Sequence, residues 1–163
     1  MNTRKGPTVF VSWAQRDPGW DDDQAAAWKY QLWEFVSALR RNGIDAALDL
    51  HHQSDRGVDW TRWGPRAVRE MDWILVALSP AWKDRWEGRN EPTVGAGAVA
   101  EADALKSFFS DNQDEFRKKL VLVALPLMRD RGSLVPTGLH GVQRGELRPG
   151  RTHRPAAVAN RAA

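Results

Sequence analysis

The run Trp73-Ile74-Leu75-Val76-Ala77-Leu78 constrains the fold more than any other feature of this chain. A strand with one solvated face alternates apolar and polar residues, and this run does not alternate. Both of its faces must be covered, which is the condition of a central strand in a parallel sheet flanked by helices. Ser79-Pro80 closes the run. Thr8-Val9-Phe10-Val11-Ser12, Ile44 to Asp49 and Leu120 to Leu125 read as strands of the same sheet, and Gly141 to Leu147 as a fifth strand at its edge.

The segments between these strands carry a different period. From Gln24 to Asn42 the residues Trp28, Leu32, Phe35, Val36 and Leu39 recur at helical spacing, and Gly43 ends the helix as a glycine in the left-handed conformation does. His51 to Asp59 reads as a polar loop. A shorter helix is expected within Trp60 to Glu70, where Pro65 favours a first turn. Trp82 to Gly97 reads as a long irregular stretch, followed by a helix from about Ala98 to Phe109. The alternation predicts an α/β, flavodoxin-like three-layer fold: a central parallel sheet of about five strands, order 2-1-3-4-5, with helices on both faces.

At 163 residues the chain suits one domain. Its expected limits are 7–147, with 148–163 an Arg, Pro and Ala-rich tail that has no apolar face to bury and reads as disordered. The absence of cysteine excludes disulfides, thiolate metal sites and a cysteine nucleophile. No apolar stretch approaches membrane-spanning length, so a soluble, cytoplasmic protein without a membrane partner is expected. The net charge of +3 resides in the tail, since residues 1–142 hold 19 basic and 20 acidic side chains. A neutral body argues against a nucleic-acid partner.

Several segments, in order, resemble the SEFIR family, the bacterial and receptor-tail branch of the Toll/interleukin-receptor (TIR) superfamily. They are Val9-Phe10-Val11-Ser12-Trp13; Gly43 to Asp49 followed by Gly57-Val58-Asp59-Trp60 and Trp63; and Met71-Asp72-Trp73-Ile74-Leu75-Val76 with Ser79-Pro80, Glu87-Gly88 and the Gly95-Ala96-Gly97 stretch leading to Glu101. The resemblance covers roughly residues 7 to 147. It departs from the family at Ala100, where a Trp commonly precedes the acidic residue, and after Leu147, where a closing helix is usual. The Ala-, Arg- and Trp-rich composition is consistent with a bacterial member.

Open parallel sheets bind ligands beyond the carboxyl ends of their strands, where strand order reverses. Here that point falls between the loops after the first and third strands, which carry Ser12, Trp13, Trp82 and Trp86. Many TIR domains cleave the nicotinamide–ribose bond of NAD, and the resemblance implies that Glu101 matches their catalytic glutamate. A carboxylate suits that reaction because the bond breaks through an oxocarbenium-like state. Trp13, Trp82 and Trp86 offer aromatic faces for nicotinamide or adenine, while Ser12 and the amides near Gly95 and Gly97 offer hydrogen bonds to ribose or phosphate. Arg56 and Arg85 are alternatives for balancing pyrophosphate charge. NAD is thus the implied substrate; no further cofactor and no metal is implied.

Each residue has a plainer reading. Glu101 sits where a carboxylate favours a helix N-terminus, Trp28 and Trp33 suit the core or the surface of the first helix, and Trp73 suits the core itself. Asp49, His51 and His52 are too few and too mobile in their expected loop to hold an ion. Trp60 and Trp63 lie where TIR-like domains associate with one another, so self-association, with or without catalysis, is the competing role. A defence or signalling response gated by self-assembly is the biological setting that the resemblance implies.

Overall fold

The computed structural model describes residues 6–14, 16–17, 19–48, 69–89, 96–129 and 133–146, excepting the side chains of 96–102, 104 and 146. Five strands form one all-parallel sheet: β1 (Thr8–Ser12), β2 (Asp45–Leu48), β3 (Trp73–Ala77), β4 (Leu120–Ala124) and β5 (Gln143–Glu146). Their order is β2-β1-β3-β4-β5, as the apolar runs predict. Val9 pairs with Trp73 and Ser12 with Val76, while Ile74 pairs with Leu120. The central position of β1 and β3 explains their unalternating sequences: Val9, Phe10, Val11 and Ser12 are all buried, as are Ile74 through Ala77.

Helix α1 (Asp22–Arg41) connects β1 to β2. Its start is specified twice over. Asp21 accepts the Gln24 backbone N–H at 2.8 Å, and Gln24 returns a side-chain oxygen to the Asp21 N–H at 3.1 Å, a reciprocal cap reinforced by acids in the first turn and Arg40 and Arg41 in the last. Trp28, Leu32 and Val36 lie one turn apart and are its buried face. Beyond its end Gly43 adopts φ +80°, a conformation that a side chain would disfavour.

The stretch expected to be irregular opens instead with a helix, α2 (Pro80–Trp86). Ser79 is its N-cap, accepting the Trp82 N–H at 3.2 Å, and Pro80 takes the first helical position, where its missing N–H costs nothing. Ser79-Pro80 therefore both ends β3 and begins a helix, and the apolar-run reading took only the first meaning. Gly88, at φ +71°, follows the α2 C-cap. Helix α3 (Ala96–Asp111) begins two residues before its expected start and ends two residues after its expected end. A further helix, α4 (Gln113–Lys119), was not expected. It lacks a side-chain cap and buries one residue, Phe116, too little to leave a periodic trace.

One tryptophan departs from the sequence reading. Trp28 is fully buried and Trp33 is 54% exposed, the two places open to them on α1, but Trp73, expected in the core, is 38% exposed because it heads β3 at the amino edge of the sheet. The long link from β4 to β5 is held down by Leu125, Met128, Leu134, Leu139 and Val142, all buried. The loop and most of the helix expected at 51–70 lie outside the described residues, as does 148–163. Among the described residues no helix is long and apolar enough to cross a membrane.

Candidate functional site

The carboxyl ends of β1 and β3 are adjacent, and the chain reverses direction there: it leaves β1 toward β2 on one side and β3 toward β4 on the other. Right-handed crossovers then place α1 on one face of the sheet and the α2–α4 segment on the opposite face. A crevice between the two departing loops is the usual consequence.

Ser12, Trp82 and Trp86 do meet there. The Trp82 indole N–H donates to the Ser12 hydroxyl at 2.8 Å, tying α2 to the end of β1. Trp82 stacks on Trp86 with centroids 5.6 Å apart and planes 15° apart, and Trp86 meets the edge of Phe109 and stacks on Phe116. The Trp86 N–H donates to the Thr137 carbonyl at 3.2 Å. All three residues are buried. The sequence reading needed open indole faces at Trp82 and Trp86; the structure packs those faces against one another and against α3 and α4.

Trp13 differs. It is buried, yet its indole Nε1 meets no hydrogen-bond acceptor among the described residues. A buried donor without an acceptor is costly, and such groups are uncommon in folded proteins. Gly97 is the second residue of α3, so its backbone N–H belongs to the first turn, which has no acceptor within the helix. Gly95 lies outside the described residues.

Glu101 is the sixth residue of α3, in its second turn and not at its start. The plainer role of a carboxylate on first-turn amides is thereby weakened. Position 101 lies one turn before Leu105, a fully buried residue.

Asp17 was passed over in the sequence. It is buried in the β1 loop, and its carboxylate accepts the Ala81 N–H at the start of α2. Nothing in the sequence separates it from the nearby exposed Asp21, Asp22 and Asp23. Trp20, in the same loop, is buried and meets Trp28 edge-on at 6.0 Å. Arg16 holds this turn by donating to the Trp20 carbonyl at 2.7 and 3.1 Å and pairing with Asp22 at 2.7 Å.

Two carboxylates outside the crevice titrate low. Glu87 accepts the Thr137 N–H and hydroxyl, both at 3.0 Å, and Asp72 accepts the Thr8 N–H and hydroxyl at 2.8 and 2.9 Å. In each case the backbone hydrogen bond is the chief cause that lowers the pKa. Trp86, Glu87, Arg89 and Thr137 line an open hollow of about 350 Å³, and Arg89 is ion-paired to Glu87.

No family model matches the chain. A solved structure described as the crystal structure of a prokaryotic SEFIR domain superposes with a TM-score of 0.53, at 18% sequence identity, over 81% of this chain and 75% of that one. The chain has a SEFIR-like fold. At that identity the likeness speaks for the architecture alone, and it agrees with the strand order that the apolar runs predict. Of the other residues singled out on the SEFIR-like pattern, Arg85 is half-buried on α2. Asp49, His51, His52, Arg56, Trp60 and Trp63 lie outside the described residues.

Proposed function

We propose that this chain is a TIR-like signalling domain that cleaves NAD at the nicotinamide–ribose bond, with Glu101 as the carboxylate beside the reacting carbon. The observation that supports the reading is the SEFIR-like fold, in which position 101 falls in the second turn of α3, the helix that follows α2. In the reaction the bond between ribose C1′ and the pyridinium nitrogen breaks, and its electron pair leaves with neutral nicotinamide. The carboxylate stabilises the cationic sugar, water attacks C1′, and a proton passes to solvent, giving ADP-ribose. A cyclised product forms instead if a group of the same ligand replaces water.

The remaining site residues divide by what their atoms have left to offer. Trp13 has an indole N–H for a ligand oxygen, and the first-turn amides at Gly97, with Gly95 before it, suit a phosphate or ribose oxygen. Ser12, Trp82 and Trp86, engaged with one another, form the wall beneath the ligand and fix where α2 sits.

A second reading, a non-catalytic module that pairs with like domains, is favoured by a separate observation: Tyr30 and Trp33 are exposed side by side on α1. On this reading Trp60 and Trp63 are further candidates for the contact, and polar replacement of both would weaken association in a folded protein. The two readings combine if pairing gates catalysis.

The test is incubation of the full chain with NAD at high protein concentration, beside Glu101→Gln, following nicotinamide release. Release by the parent and not by the variant is the expected result. Equal release by both would remove Glu101 from the mechanism, and no release by either, in protein of native circular dichroism, would overturn the enzymatic reading.

A further inference from the structure

Between α1 and the segment after β4 runs a groove of about 460 Å³, lined by Tyr30, Trp33, Glu34, Arg41, Leu125 and Pro126 among others. Tyr30 is 63% exposed and Trp33 54%, and Leu127, whose N–H donates to the Gln31 side chain at 3.1 Å, is 44% exposed beside them. Large apolar side chains exposed together mark a contact surface more often than chance scatter. The sheet fixes what lies at the entrance. Glu146, the last residue of β5, pairs with Ala124 at a strand spacing of about 4.8 Å, and Leu125 and Pro126, next along the chain, are groove wall. The chain therefore leaves β5 at the mouth of the groove.

The sequence that follows β5 complements this groove. Residues 147–163 hold four Arg and no acidic residue. Within them Arg148, Arg151 and Arg154 recur every third position, and so do Pro149, Thr152 and Pro155. A polyproline II helix has three residues per turn, so in that conformation the arginines line one edge, the prolines and Thr152 a second, and Gly150 and His153 the third. Proline edges dock on exposed aromatic rings, and arginines on a carboxylate beside them. The groove supplies both. Tyr30 and Trp33 lie one turn apart on α1, and the exposed Glu34 accepts the Tyr30 hydroxyl at 2.9 Å on one oxygen while forming no ion pair among the described residues. At about 1.5 Å per residue the helix runs about 10 Å from Tyr30 to Ser37, which Arg148 to Thr152 cover at about 3.1 Å each.

We infer that residues 148–155 fold back as a strap over the Tyr30 to Ser37 part of α1 in the same chain, with Pro149 on the aromatic rings and Arg151 on the Glu34 carboxylate. Arg41, at the far end of the groove, opposes the arginines and confines the strap to the end that holds Glu34. Tethering at the groove mouth gives the segment an effective concentration there on the order of mM, so contacts too weak to hold separate molecules suffice. A seated strap closes Trp33 to a second copy, so the inference stands apart from the pairing reading: a chain that pairs through Trp33 must first release the strap.

Because the chain has no cysteine, His153→Cys offers a single attachment point for a nitroxide, on the edge turned away from α1. In the full chain carrying that label, the NMR amide signals of Tyr30, Glu34 and Ser37 are expected to broaden, and those of α4 (Gln113–Lys119), across the sheet, to stay sharp. Glu34→Arg should abolish the broadening, and replacing Arg148, Arg151 and Arg154 with Glu in that variant should restore it; Arg41→Glu alone should strengthen it. Restoration is the decisive outcome, because a local disturbance of α1 by Glu34→Arg would not be repaired by changes in the segment after β5. Signals from α1 as sharp as those from α4 would overturn the strap, and broadening indifferent to all of these charge changes would overturn its seating on Glu34. Broadening of equal strength in isotope-labelled chains mixed with separately spin-labelled ones would place the segment on another molecule and overturn the inference as well.

Discussion

A hydroxyl at the end of a buried strand has no water to bind, and Ser12 meets this condition by accepting the Trp82 indole N–H. The pairing serves both residues, so removing one atom strands the other: Ser12→Ala is expected to cost about 1–2 kcal/mol in urea unfolding, with no change in strand content. Ser12 was legible as a site residue from its place at the end of an apolar run. Its partner was not, because the two lie 70 residues apart and only the fold brings them together. Carboxylates add a pH dependence. Asp72 and Glu87 have lowered pKa values because Thr8 and Thr137 donate to their charged forms, so the stability they contribute is complete above the ordinary carboxyl range. It is lost as pH falls through their lowered values, below about pH 4. Replacing both with Ala is expected to lower stability at pH 7 and to flatten its decline at acid pH, read from urea midpoints across that range.

At the scale of elements, the strands were legible and the short helices were not. β1, β3 and β4 announce themselves because burial on both faces leaves no polar position in the run, and α1 because twenty residues repeat the apolar period many times. α2 and α4 have seven residues each, about two turns, too few for a period to emerge and too few to be stable alone. They depend on contacts that are long-range in sequence. α2 is held at its start by Ser79 and by Asp17, and along its length by Trp82 and Trp86. Asp17→Ala leaves the Ala81 N–H without its buried acceptor and is expected to destabilise the domain by about 1–3 kcal/mol. Amide exchange should rise first within α2; Asp17→Asn, which keeps an acceptor oxygen, should lose less. Exchange that rises uniformly over the sheet would deny α2 this separate dependence.

For the whole molecule, the order β2-β1-β3-β4-β5 follows from the alternation of elements and the handedness of crossovers, which is why the switch point is legible in the sequence. The site was half legible. Ser12 and Trp82 meet at the switch point, but the sequence could not tell an indole open to a ligand from one closed by a neighbour, and the structure closes Trp82 and Trp86. The same blindness hid the α1 face, since Trp28 and Trp33 differ by five positions on one helix, yet one is fully buried and the other 54% exposed.

The proposed chemistry and the proposed pairing meet in one quantity, the specific rate of nicotinamide release as a function of protein concentration. If pairing gates NAD cleavage, the rate per protomer rises with concentration and levels off where sedimentation shows the dimer complete, and Trp33→Ser shifts the rise to higher concentration. A rate per protomer that stays at zero while the dimer forms would contradict the enzymatic claim, and a constant non-zero rate would contradict the gating.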